Sequence, residues 1–375
     1  MKEMAVLQSM IIFVLLLAAS TRSYAFNNIG PDTRIRHASK LLTHASAVQP
    51  IDETVTSNIT TSSTAPANPA VAKHKRQRIP ILSYKDNYVI VSKPAGVSMH
   101  KTGMKLWGHA AKFPSLEKLI RKQLSRKPYL VHRLDHRTSG AVLMGFDSQT
   151  AGKLHGRLRG DGAVKLYIAL VRGDLRERFA SSNAAGERLA GIHHLYGKIT
   201  IDLPIIADDV EKEAITDFYF LSSIDLNDKF ASNEGTSIEV PFSNKALSLL
   251  LCRPRTGRIH QIRRHLVKGL NSPVIGDTEH GDSRVNRFWR ETIGLDRLAL
   301  HCWHLYLPPI GQNDESFEDD EVIQCIAPLL DDFADALHHP ELKQLWNEAT
   351  QLEPRLKMQH YDERGGTFGR NCRTK

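Results

Sequence analysis

The chain has 375 residues, 41% of them hydrophobic, and a formal net charge of +9, which allows a packed core in one large or two ordinary domains. The charge is uneven: residues 73–309 carry 38 Lys/Arg against 23 Asp/Glu, while residues 310–336 carry nine acids and no base. A basic body of this kind suits a polyanion. The four cysteines, Cys252, Cys302, Cys325 and Cys372, have no CxxC spacing, which excludes a zinc knuckle and a disulfide framework. His260 and His265, and His301 and His304, do not follow HExxH, so no metal is expected.

Met10 to Ala19 (MIIFVLLLAA) is an apolar run of ten, too short to span a bilayer and of the length of a signal-peptide core. Small residues at Ser20, Ser23 and Ala25 offer a cleavage point. Residues 26–72 have three bases and three acids and turn Ser/Thr-rich; such a stretch cannot bury a core and reads as unstructured. A signal-like core, Ala25-Phe26 and a Ser/Thr-rich stretch together resemble the two-part presequence of algae with complex plastids. That resemblance implies a plastid address, with the mitochondrion as the alternative. Simple secretion would make Asn58-Ile59-Thr60 a glycosylation acceptor. No stable membrane association is expected of the mature chain.

Ile79 to Ser92 holds two short β-type runs split by Asp86-Asn87, and Lys93-Pro94-Ala95-Gly96 breaks the second. Leu116, Leu119, Ile120 and Leu124 form one face of a helix over 114–126. The most informative stretch follows, VHRLDHRTSGAVLMGF at 131–146. A charged turn with Arg133 two residues before Asp135 is released by Thr138-Ser139-Gly140 into a buried strand, Ala141 to Met144. Residues 151–158 have helical spacing. Val164 to Val171 is a strand whose alternation puts Tyr167 on the face of Lys165. Residues 176–198 and 222–245 read as loops or insertions. Leu249 to Cys252 is a strand, and a basic turn with Arg253, Arg255 and Arg258 leads into a helix from Ile259. Ile262 and Leu266 share one face of that helix, whereas His260, Arg263 and Arg264 leave from others. Asn271 to Asp282 (NSPVIGDTEHGD) and Arg297 to Leu305 (RLALHCWHL) close the domain. Residues 341–352 carry a weak helical signal, and 353–375 read as disordered. The domain boundaries expected are 79–340 for the catalytic part and 341–375 for a C-terminal helix and tail.

The KPxG turn, HRLDxxTSG, the K-x-Y-x-A strand and TGRxHQIRxHL occur in that order, and motifs and order together resemble the blocks of RluA-type pseudouridine synthases. The form PVIGDxxHGDxRxNR resembles the tRNA-modifying branch, which acts on a T-stem uridine. The resemblance spans about residues 79–309. It implies an α+β fold, a mixed and largely antiparallel sheet with flanking helices, and isomerisation of uridine to pseudouridine in tRNA or rRNA without cofactor or metal. It implies catalytic roles for Asp135, Tyr167 and Arg263, with Arg263 paired to Asp135. RNA contacts are expected from Lys93, Arg133, Arg255, Arg258, His260 and Arg264, and the protein is expected to be a monomer. The alternative is an RNA-binding homologue that has lost catalysis, although Asp135, Tyr167 and Arg263 are all present.

Overall fold

The computed structural model describes residues 78–100, 114–181, 196–226, 245–309 and 322–357. The signal-like segment 1–25, the stretch 26–77, parts of both expected insertions and the tail beyond Lys357 lie outside the described residues. Among the described residues no helix is long and apolar enough to cross a membrane.

The strands are β1 (Ile81–Tyr84), β2 (Tyr88–Lys93), β3 (Tyr129–Leu130), β4 (Ser139–Gly145), β5 (Val164–Arg172), β6 (Tyr196–Asp202), β7 (Ile205–Ala207), β8 (Val210–Lys212), β9 (Ile215–Ile224), β10 (Leu247–Pro254), β11 (Leu300–Leu307) and β12 (Ile323–Ile326). Ten of them form one sheet in the order β1-β2-β4-β11-β5-β10-β9-β6, with β3 beside β4 and β12 beside β11; β7 and β8 make a separate hairpin. Every pairing in the large sheet is antiparallel except β4 with β11, so the sheet is mixed and largely antiparallel, as the family resemblance implies. β4 is buried throughout, and β5 is buried apart from Lys165 and the terminal Arg172. Near-continuous apolar runs are what strands covered on both faces require.

The parallel contact explains the glycine of the TSG turn. Gly140 has φ +112°, a region open to glycine, and a Cβ there would overlap the backbone of Cys302 on β11. Gly140→Ala is expected to cost about 2–3 kcal/mol in unfolding free energy, read as a lower denaturant midpoint at unchanged m-value.

The helices are α1 (Leu116–Leu124), α2 (Ser148–Arg159), α3 (Arg176–Ala180), α4 (Gln261–Leu270), α5 (Ser283–Ile293), α6 (Asp331–His338) and α7 (Lys343–Leu352). α1 starts where Ser115 Oγ accepts the Lys118 N–H, and α2 where Asp147 accepts from Thr150, the side-chain capping that supplies partners to otherwise unpaired helix-start donors. Several elements depart from expectation: α3, the start of β6 and the end of β9 lie within 176–198 and 222–245, expected as loops or insertions, and α5 and α6 were not foreseen. Val285, Phe288, Trp289 and Ile293 are the buried face of α5, at helical spacing but diluted by arginines. α6 lies in the acid-rich stretch and buries Phe333, Ala336 and Leu337. α7 packs on β9, where Ser222 Oγ donates to the Leu345 carbonyl at 2.8 Å. Residues 353–357, expected to be disordered, instead form a short 3-10 turn, Pro354–Lys357, anchored by the fully buried Leu356 and by Arg355 on Glu353 at 2.8 Å.

Candidate active site

Asp135 sits in the loop between β3 and β4, where the Thr138 N–H donates to its carbonyl at 3.1 Å and closes a turn. The Lys93-Pro94-Ala95-Gly96 turn buttresses this loop from beneath. The carbonyl of His136 accepts from Gly96 N–H at 2.9 Å and from Lys93 Nζ at 3.1 Å. Lys93 Nζ also donates to the carbonyls of Val97 at 2.8 Å and Pro94 at 3.0 Å, and its side chain is fully buried. Expected as an RNA contact, Lys93 is therefore an internal brace: its donors are spent on three carbonyls and no polyanion reaches it. Burial, and then the charge of Arg297, pull its pKa down to about 7 against the opposing pull of Asp135. Lys93→Met should destabilise the protein by about 2 kcal/mol, because buried carbonyls lose their donor. It should leave the salt dependence of RNA binding unchanged, whereas a phosphate contact would flatten it by about one charge.

Three elements meet at Asp135. Tyr167 comes from the middle of β5, faces Cys252 on β10 and Cys302 on β11, and lines one pocket with Asp135, Lys165 and Arg263. Burial first, then the neighbouring Cys302, hold its phenol well above the ordinary tyrosine range. It therefore stays protonated at neutral pH and offers a ring face rather than a phenolate. Arg263 reaches in from α4 with Nη1 3.5 Å from Asp135 Oδ2. Its closest partner is another carboxylate, Asp277: Nε donates to Oδ2 at 2.7 Å and Nη2 to Oδ1 at 2.6 Å. Both side chains of this bidentate pair are nearly inaccessible, at 4% and 1%. Asp277 also accepts the N–H groups of Glu279 and His280. Burial alone would raise its pKa, but Arg263 and these backbone donors hold it below the usual carboxylate range. The pairing of Arg263 with Asp135 is thus present, and secondary to one that motif reading missed.

Gln261 was missed as well. At the first turn of α4 its Oε1 accepts from Thr256 Oγ1 at 2.7 Å and from Arg258 N–H at 3.0 Å. Its Nε2 donates to the Ile215 carbonyl and Thr216 Oγ1, both at 2.9 Å. Bonds on both ends of one amide fix the TGR turn against β9. The helix begins at Gln261 and not at Ile259, because His260 adopts a left-handed conformation, φ 53° and ψ 25°.

The remaining residues expected to touch RNA divide. Arg133 is exposed at the rim, and Arg258 is exposed there too, with Nε on the Glu213 carbonyl at 2.8 Å. His260 places Nε2 3.9 Å from Asp135 Oδ2 and lines the same pocket. Arg255 departs from expectation: its Nε is paired with the fully buried Asp217 at 2.7 Å. Arg264 likewise donates to the Ile206 carbonyl at 3.1 Å, tying α4 to the β7–β8 hairpin. Both are engaged in holding the fold, although part of the Arg255 side chain remains accessible.

A partly exposed carboxylate faced by a buried arginine, an aromatic ring beside it and exposed arginines at the rim share one pocket. The sequence pattern of the RNA pseudouridylate synthase family matches residues 87–268. tRNA pseudouridine synthase C of Vibrio vulnificus is 32% identical over 241 residues, 62% of this chain and 86% of that protein. The Yersinia pestis protein of the same name is 31% identical over 60% of this chain and 79% of its own. A solved structure, human RNA pseudouridylate synthase domain containing 1, aligns over 72% of this chain at 19% identity with a TM-score of 0.47. The chain belongs to the RluA-type RNA pseudouridine synthase family and is an isomerase.

Proposed function

We propose that this protein isomerises a uridine of tRNA, with Asp135 acting on the ribose, Tyr167 stacking on the base and Arg263 positioning Asp135. The observation that carries the reading is the convergence of Asp135, Tyr167 and Arg263 in one pocket. The tRNA assignment rests on the two relatives named above and on the PVIGDxxHGD form of the fourth block.

The chemistry follows from the groups present. Breaking the bond from ribose C1′ to N1 leaves electron deficiency at C1′, which the Asp135 carboxylate meets as nucleophile or electrostatic partner. The uracil turns on the Tyr167 ring and C5 rejoins C1′. C5 then loses its proton and N1 gains one, so the isomerisation is redox-neutral. Arg133 at the rim is placed to help hold the nucleotide out of its stack, against an unstacking cost of a few kcal/mol. For residues 1–78 we propose delivery to an organelle, the plastid ahead of the mitochondrion.

Incubating the recombinant protein separately with tRNA and rRNA transcripts, followed by chemical mapping of pseudouridine, tests the substrate. A single modified uridine in tRNA is expected; modification confined to rRNA would overturn the tRNA assignment while leaving the isomerase intact.

A further inference from the structure

His260, at the start of α4, and Glu279 and His280, in the loop before α5, meet beside the pocket that His260 lines, although nineteen and twenty residues apart in sequence. His260 Nδ1 lies 3.2 Å from Glu279 Oε2 and 3.2 Å from His280 Nε2, and one ligating atom from each of the three falls within 4.8 Å of the others. This crowding leaves the cluster short of protons. A protonated Nδ1 serves two acceptors with one hydrogen; an unprotonated one accepts from His280 and turns a lone pair towards the carboxylate. A cation at the centre satisfies all three atoms at once.

Two of the three dimensions suit one. A tetrahedral ion with bonds of about 2.0–2.1 Å has ligand-to-ligand edges of roughly 3.3 Å, close to both 3.2 Å separations from His260. The third edge, between Glu279 and His280, lies within 4.8 Å and closes as the side chains turn onto the ion. Two imidazoles and a carboxylate are a zinc-class donor set. The surrounding charge is favourable, because Asp277 is already spent on Arg263 and the carboxylates of Asp135 and Glu279 remain. An outer carboxylate stands near as well. The second ring nitrogen of His260 lies 3.9 Å from Asp135 Oδ2, beyond hydrogen-bond reach but within a small movement of the carboxylate–histidine order that orients metal-binding imidazoles. Arg263 Nη2 stands 3.7 Å from the other Glu279 oxygen.

We propose that His260, Glu279 and His280 bind one divalent ion of the zinc class, and that the bound ion holds His260 against Asp135 and so competes with RNA for the pocket. The competition rests on the reading of Asp135 as the reacting carboxylate; the binding does not. The untagged full-length protein would be titrated with Co²⁺, whose visible absorption reports tetrahedral coordination. The expected result is one equivalent bound with a tetrahedral band, bleached by Zn²⁺ and diminished as tRNA transcript is added. His280→Ala and Glu279→Gln should each weaken Co²⁺ binding by more than about tenfold, with circular dichroism showing that each variant is folded. If His280→Ala fails to fold, His280→Gln takes its place. Absence of the band, an undiminished band in folded variants, or a band that saturating RNA leaves untouched would overturn the proposal. Because the band is read without turnover, a failure of the catalytic reading, seen as an active Asp135→Asn, would be recognised separately.

Discussion

Asp135→Asn protein is expected to bind RNA within a few-fold of the wild type and to form pseudouridine at least about a thousandfold more slowly. Binding survives on the proposed reading because most affinity for a polyanion comes from phosphate contacts, a role assigned there to the exposed Arg133 and Arg258 and not to Asp135. Folding survives because asparagine has nearly the same shape and the tight partner of Arg263 is Asp277, at 2.6 and 2.7 Å, with Asp135 at 3.5 Å. Single-turnover rates at saturating RNA check the expectation. Turnover above roughly a hundredth of the wild-type rate would rule out a nucleophile at this position, since losing a covalent catalyst costs more than that.

Asp277→Ala should damage the protein more broadly. It leaves the Arg263 guanidinium, 4% accessible, without its bidentate acceptor, and breaking a buried pair from one side costs about 3–5 kcal/mol. For a domain of this size the melting temperature should fall by on the order of 10 °C. Arg263 would then be free to swing fully onto Asp135, so turnover should drop even below the new melting point. The pH dependence has a definite sign. Against the opposing effect of burial, Arg263 and the backbone donors hold the folded-state pKa of Asp277 below the ordinary carboxylate value. Its stabilisation is therefore complete above the unfolded carboxylate pKa and is lost as pH falls through the folded one. Asp277→Asn should flatten that acid limb. In turnover, Arg263→Ala and Asp135→Ala should be non-additive, as for residues acting as a unit. An Arg263→Ala protein that turns over normally but loses a full unit of salt slope would mark Arg263 as a phosphate contact instead.

The parts legible in the sequence were those set by local periodicity. The alternation of β5 placed Tyr167 with Lys165, and the Leu116–Leu124 face marked α1. The TSG turn before an apolar run marked β4. What was not legible depends on contacts between distant segments. Lys93 beside Pro94 and Gly96 has the look of an exposed turn lysine, and the arrival of the His136 carbonyl from the Asp135 loop shows why it is buried. Arg255 and Arg264 looked like a cationic face because their partners, Asp217 and the Ile206 carbonyl, come from β9 and the β7–β8 hairpin. Asp277 stood in plain view within the fourth block. Nothing at a separation of fourteen residues, across the end of a helix, announces a bidentate pair with Arg263. The cluster of His260, Glu279 and His280 escaped a search by spacing for the same reason.

The central claim is that the Asp135 pocket moves the glycosidic bond of uridine from N1 to C5. The most direct measurement uses tRNA transcript carrying tritium at uridine C5, because the new bond replaces the C5–H bond and sends the label to water. With the full-length protein, tritium release should match pseudouridine formed, one for one in the digested RNA, and both should vanish together in Asp135→Asn. Tritium released without pseudouridine, or pseudouridine formed equally by the two proteins, would contradict the account.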